Sequence, residues 1–181
     1  MDAFCVLFSC LRKNMRQISV KKLALWAVTA ALYAAITLLT ASFAFGPVQF
    51  RLADAMCVLC CFAPHMTAGV TLGCFLANLF SSVSALDMVV GTAATLVACL
   101  WMTRCRRAVS MVLPNVLANG ILVGAMLAWV YTPGAFWQGF LLNGLQVAAG
   151  ELAVMVVLGV PLFVYIRRST RLLRQLRGED T

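Results

Sequence analysis

Long apolar stretches separated by short polar or basic breaks set the reading of this chain. The first stretch covers residues 22–44, preceded by Lys21 and closed by Gly46-Pro47. A short second stretch, 51–63, ends at Pro64-His65, which reads as a tight turn because proline restricts the residue before it and lacks a backbone donor. The third and fourth cover 66–82 and 86–102, and the fourth stops at Arg104-Cys105-Arg106-Arg107. The uncharged run 108–150 is too long for one membrane helix of about 20 residues and suits two. It divides at Tyr131-Thr132-Pro133-Gly134 into a fifth stretch, 108–130, and a sixth, 135–166. The sixth exceeds the hydrocarbon thickness, which predicts a tilt, or a kink near Gly150 or near Gly159 and Pro161.

Composition turns these stretches into membrane spans. The 181 residues are 63% hydrophobic and 11% charged, with a mean hydropathy of +0.95, well outside the soluble range. A net charge of +8 would suggest nucleic acid in a soluble protein, but here the basic residues flank apolar spans, as topology signals do. Clusters at the N-terminus, at Arg104–Arg107 and at Arg167, Arg168, Arg171, Arg174 and Arg177 all fall on one side if four spans separate the first two and two separate the last two. The expectation is an all-α integral membrane protein of six transmembrane helices with both termini cytoplasmic. Residues 1–20 form an N-terminal tail, interfacial in character, 21–168 the membrane domain and 169–181 a basic cytoplasmic tail. Arg51 alone among the fourteen Lys and Arg residues falls outside the cytoplasmic segments. Its turn belongs to the outer face.

Polar groups that survive in lipid are the candidates for chemistry. Only Asp54, Asp87 and Glu151 are acidic within the apolar body, where a charge needs a cavity or a partner. Asp54, three residues after Arg51, shares its helix face and forms either a local ion pair or part of a site. Asp87, at the outer start of the fourth span, suits the positive end of a helix dipole. Glu151 lies near mid-span with no basic residue within a turn, close in sequence to Asn143 and Gln146, and Asn115 and Asn119 are equally deep on the fifth span. A pocket between spans five and six, walled by Trp129, Tyr131, Phe136 and Trp137, would suit a flat hydrogen-bonding solute; hydrogen bonding between helices around a protonated Glu151 is the alternative.

Small residues form two faces, Ala27-Ala31-Ala35 on the first span and Gly69-Gly73-Ala77 on the third, each able to bring another helix close. The eight cysteines read as packing thiols; Cys57-x-x-Cys60-Cys61 lacks the further ligands zinc requires. His65 reads as a turn residue. No phosphate loop, metalloprotease motif or Ser/His/Asp set is present, so neither metal, cofactor nor catalysis is expected. A self-sufficient secondary transporter would show an inverted repeat, and none is evident.

The segments Lys22-Leu23-Ala24-Leu25, Ala31-Leu32-Tyr33, Phe45-Gly46-Pro47-Val48-Gln49-Phe50-Arg51, Gly73-Cys74-Phe75-Leu76-Ala77-Asn78, Gly91-Thr92-Ala93-Ala94-Thr95-Leu96, Asn119-Gly120-Ile121-Leu122-Val123-Gly124 and Gly150-Glu151-Leu152, in this order and spacing, resemble the queuosine-precursor transporter (QueT) family. Members are substrate-binding S components of energy-coupling-factor (ECF) importers in the bacterial cell membrane. The resemblance implies a six-helix S-component bundle that captures a 7-deazaguanine, such as queuine or its aminomethyl precursor, on the outer side. It also implies a transmembrane coupling subunit and two cytoplasmic ATPase subunits as partners, with release by toppling in the membrane. Ala27, Ala31 and Ala35 would dock on the coupling subunit. Glu151 would read the base, Asn119, Asn143 and Asn78 would add amide contacts, and Arg51, Gln49, Asp54 and Asp87 would complete the site or its gate. Another vitamin-type solute is the rival within the same class.

Overall fold

The computed structural model describes residues 19–44, 50–80 and 85–177. They are helical throughout, with no strand among them: α1 (Val20–Leu39), α2 (Ala41–Ala44), a 3-10 helix (Leu52–Val58) continuing into α3 (Leu59–Phe62), α4 (Met66–Asn78), α5 (Ala85–Met102), α6 (Ala108–Tyr131), α7 (Phe136–Val154), a π-helical turn (Met155–Gly159), α8 (Val160–Arg168) and α9 (Thr170–Arg177). Three helices are long and apolar enough to cross a membrane: Val20–Leu39, Ala108–Tyr131 and the continuous Phe136–Arg168. Leu52–Phe62, Met66–Asn78 and Leu86–Met102 are shorter apolar helices.

The breaks occur where local chemistry requires them. Ser19 caps α1 by accepting from the Lys21 amide at 3.4 Å. Pro114 lies inside α6 and cannot donate to the Ser110 carbonyl four residues back; the Cys105 thiol donates to that oxygen instead, at 3.3 Å. The sixth stretch runs 33 residues, about 50 Å. Its irregular turn falls at Met155–Gly159, just before Pro161, one of the positions expected for a kink.

The 3-10 helix lies at the centre of the bundle. Too short to cross hydrocarbon by itself, it packs against α1, α4, α5, α6, α7, the π turn and α8. With about three residues per turn, Arg51, Asp54 and Cys57 stack on one face, and all three are buried. Around it, α1 packs along α4, α4 along α5, α5 along α6 and α6 along α7. Two of these pairs depend on glycine. A Cβ on Gly73 would stand 2.7 Å from the Tyr33 Cβ, and one on Gly124 would stand 2.6 Å from the Gly144 Cα, so the backbones meet with no room for a side chain.

Basic residues gather at one end. His65 accepts from the Trp26 indole N–H through Nδ1 at 3.1 Å, and its Nε2 lies 2.8 Å from the Leu176 carbonyl. Both contacts hold together in the neutral Nε2–H tautomer, which accepts from α1 and donates to α9. The turn thereby ties the start of α1 to the C-terminal helix. Burial, with Lys22 adding to it, pulls the His65 imidazole below the ordinary histidine value of 6.5. Arg106, Arg167 and Arg177 converge on the same end.

Two outcomes follow from this packing. Gly124→Ala should lower the thermal midpoint in detergent by the equivalent of about 1–3 kcal/mol, because the clash is with backbone; Gly134→Ala, which meets nothing within 4 Å, is the matched control. A folded state that holds His65 neutral loses stability as pH falls from 6.5 through its lower folded value, since the unfolded chain takes up the proton first. Thermal midpoints across that window should therefore drop in the wild type and drop less in His65→Gln.

Candidate functional site

Along α6 the buried positions run from apolar Met111 and Val112 through Asn115 and Asn119 to Val123, Met126 and Leu127. Along the last long helix they run from Val147 through Glu151 to Met155. The amides and the carboxyl thus occupy a polar layer between two apolar clusters, one built on Tyr33, Val58, Met66, Met111 and Met155 and the other on Ala94, Val123, Met126, Leu127 and Val147.

Glu151 is 2% exposed. Asn115 donates from Nδ2 to its Oε2 at 2.6 Å. Its carboxyl also lies beside that of Asp54 and within the field of Arg51. Asp54 in turn accepts from the Tyr33 hydroxyl through Oδ1. The chain of contacts therefore runs from α1 through the 3-10 helix and α7 to α6.

Arg51 connects this chain to a second set of groups. Its side chain is buried, with Nη1 3.8 Å from the Cys74 thiol, and Tyr33, Asp54 and Asp87 lie within its electrostatic reach. Cys74 also meets the Thr95 hydroxyl at 3.2 Å and receives the Asn78 amide at 3.4 Å. Asn78 donates as well to the Asp87 carbonyl at 3.3 Å. Gly91 makes this fit possible, since a Cβ there would stand 2.8 Å from the Asn78 amide nitrogen.

Several positions differ from the sequence reading. Arg51, expected at the outer mouth, turns its side chain into the interior, where three carboxyl groups are its counterions. Asp87, expected as a cap at the outer end of the fourth span, does lie in the first turn of α5, but it is fully buried and joins the layer. Glu151, with no base nearby in sequence, has Arg51 close across the bundle. Trp129, Tyr131 and Trp137, expected as pocket walls, are exposed, and Phe136 stacks on Phe140 of its own helix. Exposed aromatic residues at helix ends suit a membrane interface belt. Asn143 is half-buried and donates to the Gly139 carbonyl of its own helix at 2.8 Å, two turns from Glu151. Gln49 lies outside the described residues, as do positions 45–49 of the loop from Ala44 to Phe50 that the family resemblance implies as the outer gate.

The two small-residue faces are used differently. Ala30, with Trp26, Thr29 and Tyr33, meets Gly69 and Gly73 of α4, whereas Ala27, Ala31 and Ala35 are exposed.

Sequence reading missed Tyr33, Cys74 and Thr95 as members of the site. Tyr33 had a signal: Tyr131 and Tyr165 sit near span ends, but Tyr33 lies mid-span, where a hydroxyl needs a partner. A cysteine or threonine inside an apolar helix carries no such signal.

Five buried polar atoms of this layer have no hydrogen-bond partner among the described residues: Asp54 Oδ2, Asn78 Oδ1, Asn115 Oδ1, and both Nδ2 and Oδ1 of Asn119. Buried polar groups are nearly always satisfied, so a set offering both donor and acceptor capacity suits a polar solute. A sequence profile described as QueT transporter matches residues 23–168. The chain belongs to the QueT transporter family. It is thus a membrane transport protein, in keeping with its apolar helices and with a non-enzymatic role. No curated protein and no solved structure matches it.

Membership of the layer sets the expected cost of each amide. Asn115→Leu removes the donor to a buried carboxyl and should cost about 1–3 kcal/mol of stability. Asn143→Leu should cost under about 1 kcal/mol, since Asn143 bonds only its own helix. Thermal unfolding of both variants in one detergent checks the difference.

Proposed function

We propose that this chain is the substrate-capture S component of an ATP-driven ECF importer and that its polar layer binds a queuosine precursor. The observation that carries this reading is Glu151, a carboxyl that accepts from Asn115 and lies beside Asp54, in a layer where both side-chain polar atoms of Asn119 and the Oδ1 atoms of Asn78 and Asn115 have no hydrogen-bond partner among the described residues. A 7-deazaguanine presents adjacent N–H donors that a carboxylate accepts as a pair. Asn119, one turn along α6 from Asn115, offers both an acceptor and a donor for the rest of the base, and Asn78 a further acceptor.

Charge bears on which precursor is bound. Asp54, Asp87 and Glu151 face the single guanidinium of Arg51, so the layer has carboxyl groups in excess. That balance favours a ligand that carries a protonated amine, as both the aminomethyl precursor and queuine do, over the uncharged base guanine. Arg51 then acts as the counterion that keeps the acids compatible with burial.

In this reading all six apolar stretches cross the bacterial cell membrane with both termini inside, the shortest, Leu52–Phe62, being largely covered by its neighbours. The convergence of Arg106, Arg167 and Arg177 on the end that carries the start of α1 supports it. The exposed Ala27, Ala31 and Ala35 stripe would meet the coupling subunit, whose two ATPase partners supply the energy.

Titration of the detergent-purified chain with queuine, its aminomethyl precursor and guanine tests the assignment. Saturable binding of the aminomethyl precursor and of queuine, each stronger than that of guanine, is expected, weakened about tenfold or more in Glu151→Gln. Absence of saturable binding by any 7-deazaguanine would refute the substrate.

A further inference from the structure

A second site lies at the end of the bundle that carries the 103–107 loop and α9. Where α3, the 103–107 loop, α8 and α9 meet, a cavity of about 310 Å³ is lined by Phe62, Cys105, Phe163 and Leu173 on one side and by Arg106, Arg167 and Arg177 on the other. The Phe62 and Phe163 rings pack with centroids 4.9 Å apart and form an apolar floor. The three arginines are exposed and come from three separate elements.

Among the described residues no carboxylate faces them. The acids among the described residues are Asp54, Asp87 and Glu151, all buried in the distant polar layer. Three guanidinium groups without a facing carboxylate attract an anion, and the planar donor fork of arginine matches phosphate oxygens. The apolar floor selects among anions, because a free phosphate leaves the half-buried Phe62 and Leu173 partly in water whereas an acyl chain covers them.

Helix α9 supports the same reading. Its leucines, Leu172, Leu173 and Leu176, face inward, and Arg171, Arg174 and Arg177 are exposed. This is the pattern of a helix lying in a membrane interface with its basic face toward anionic headgroups. The His65 contact to the Leu176 carbonyl fixes the helix at that depth.

We propose that this cavity is a binding site for the phosphate of an anionic phospholipid, with Arg106, Arg167 and Arg177 on the headgroup and Phe62 and Leu173 against the first acyl carbons. The proposal rests on membrane embedding and not on the identity of the transported solute. It therefore stands or falls separately from the queuosine-precursor assignment. Occupancy would also clamp α9 to the 103–107 loop, joining the two ends of the chain segment from α6 to α9.

The full chain is reconstituted in nanodiscs of phosphatidylcholine with increasing phosphatidylglycerol, and the thermal midpoint is followed. Saturable stabilisation by phosphatidylglycerol is expected. The combined substitution Arg106→Gln, Arg167→Gln, Arg177→Gln should weaken its apparent affinity about tenfold or more. The control substitution Arg104→Gln, Arg171→Gln, Arg174→Gln, with the same change in net charge, should retain it. Inorganic phosphate in pure phosphatidylcholine discs distinguishes the sources: equal stabilisation by phosphate would replace the lipid with a free anion and overturn the proposal.

A lipid effect that appears only in Glu179→Gln, Asp180→Asn would make the chain's own carboxylates the occupant and would also overturn it. Equal loss in both arginine triples would reduce the effect to general surface charge, with the same consequence. Should the pocket variant fail to fold, native mass spectrometry of the wild type decides. Retained phosphatidylglycerol in preference to phosphatidylcholine supports the site, and no preference refutes it.

Discussion

A guanidinium and three carboxyl groups share the interior of a protein that is otherwise built for hydrocarbon, and each depends on the others to remain there. An isolated charge at the centre of a bilayer costs about 2.5–3.5 kcal/mol on insertion scales, and no helix of this chain carries enough compensating groups on its own surface. Arg51 brings the positive charge from the beginning of the 3-10 helix, Asp54 follows it on the same face, Asp87 comes from α5 and Glu151 from α7. Tyr33, Asn78 and Asn115 then supply donors from α1, α4 and α6. Because the layer recruits from every long element, it defines the one arrangement of helices in which these polar groups meet.

That arrangement explains why the second apolar stretch is short and tightly wound. A helix whose faces are all covered by protein need not match the hydrocarbon thickness. A 3-10 helix advances about 2.0 Å per residue, so few residues carry the polar stripe along the bundle axis. The close α1–α4 and α6–α7 contacts, each built on glycine facing backbone, bring the surrounding helices near enough for Tyr33 to reach Asp54 and for Asn115 to reach Glu151. Small residues thus act on the site indirectly, by setting the distances over which short side chains bond.

The two ends of the molecule divide the remaining tasks. At one end, aromatic residues Trp129, Tyr131 and Trp137 stand exposed, as an interface belt requires. At the other, His65 ties α1 and α9 to a proline turn, and three arginines surround an apolar floor. On the proposed reading, solute binds in the central polar layer while both ends stay anchored in the membrane. The separation of polar layer, aromatic belt and basic pole provides this.

Membership of the membrane class, the boundaries of the apolar stretches and the proline-linked irregularity late in the chain were legible in the residues alone, because lipid imposes constraints that act on each segment separately: length, charge exclusion and backbone satisfaction. Glu151, Asn115 and Asn119 could be singled out for the same reason, as polar groups placed where each needs a partner. Which partner each one takes was not legible. Arg51 read as an outer-turn residue because position in sequence gives depth but not the direction in which a long side chain reaches, and the aromatic residues near span ends read as pocket walls because helical periodicity does not say which face looks inward. Cys74 and Thr95 carried no sign of their role at all. Pairing across helices depends on how the helices rotate and how closely they approach, and those are properties of the packed bundle, not of any one stretch.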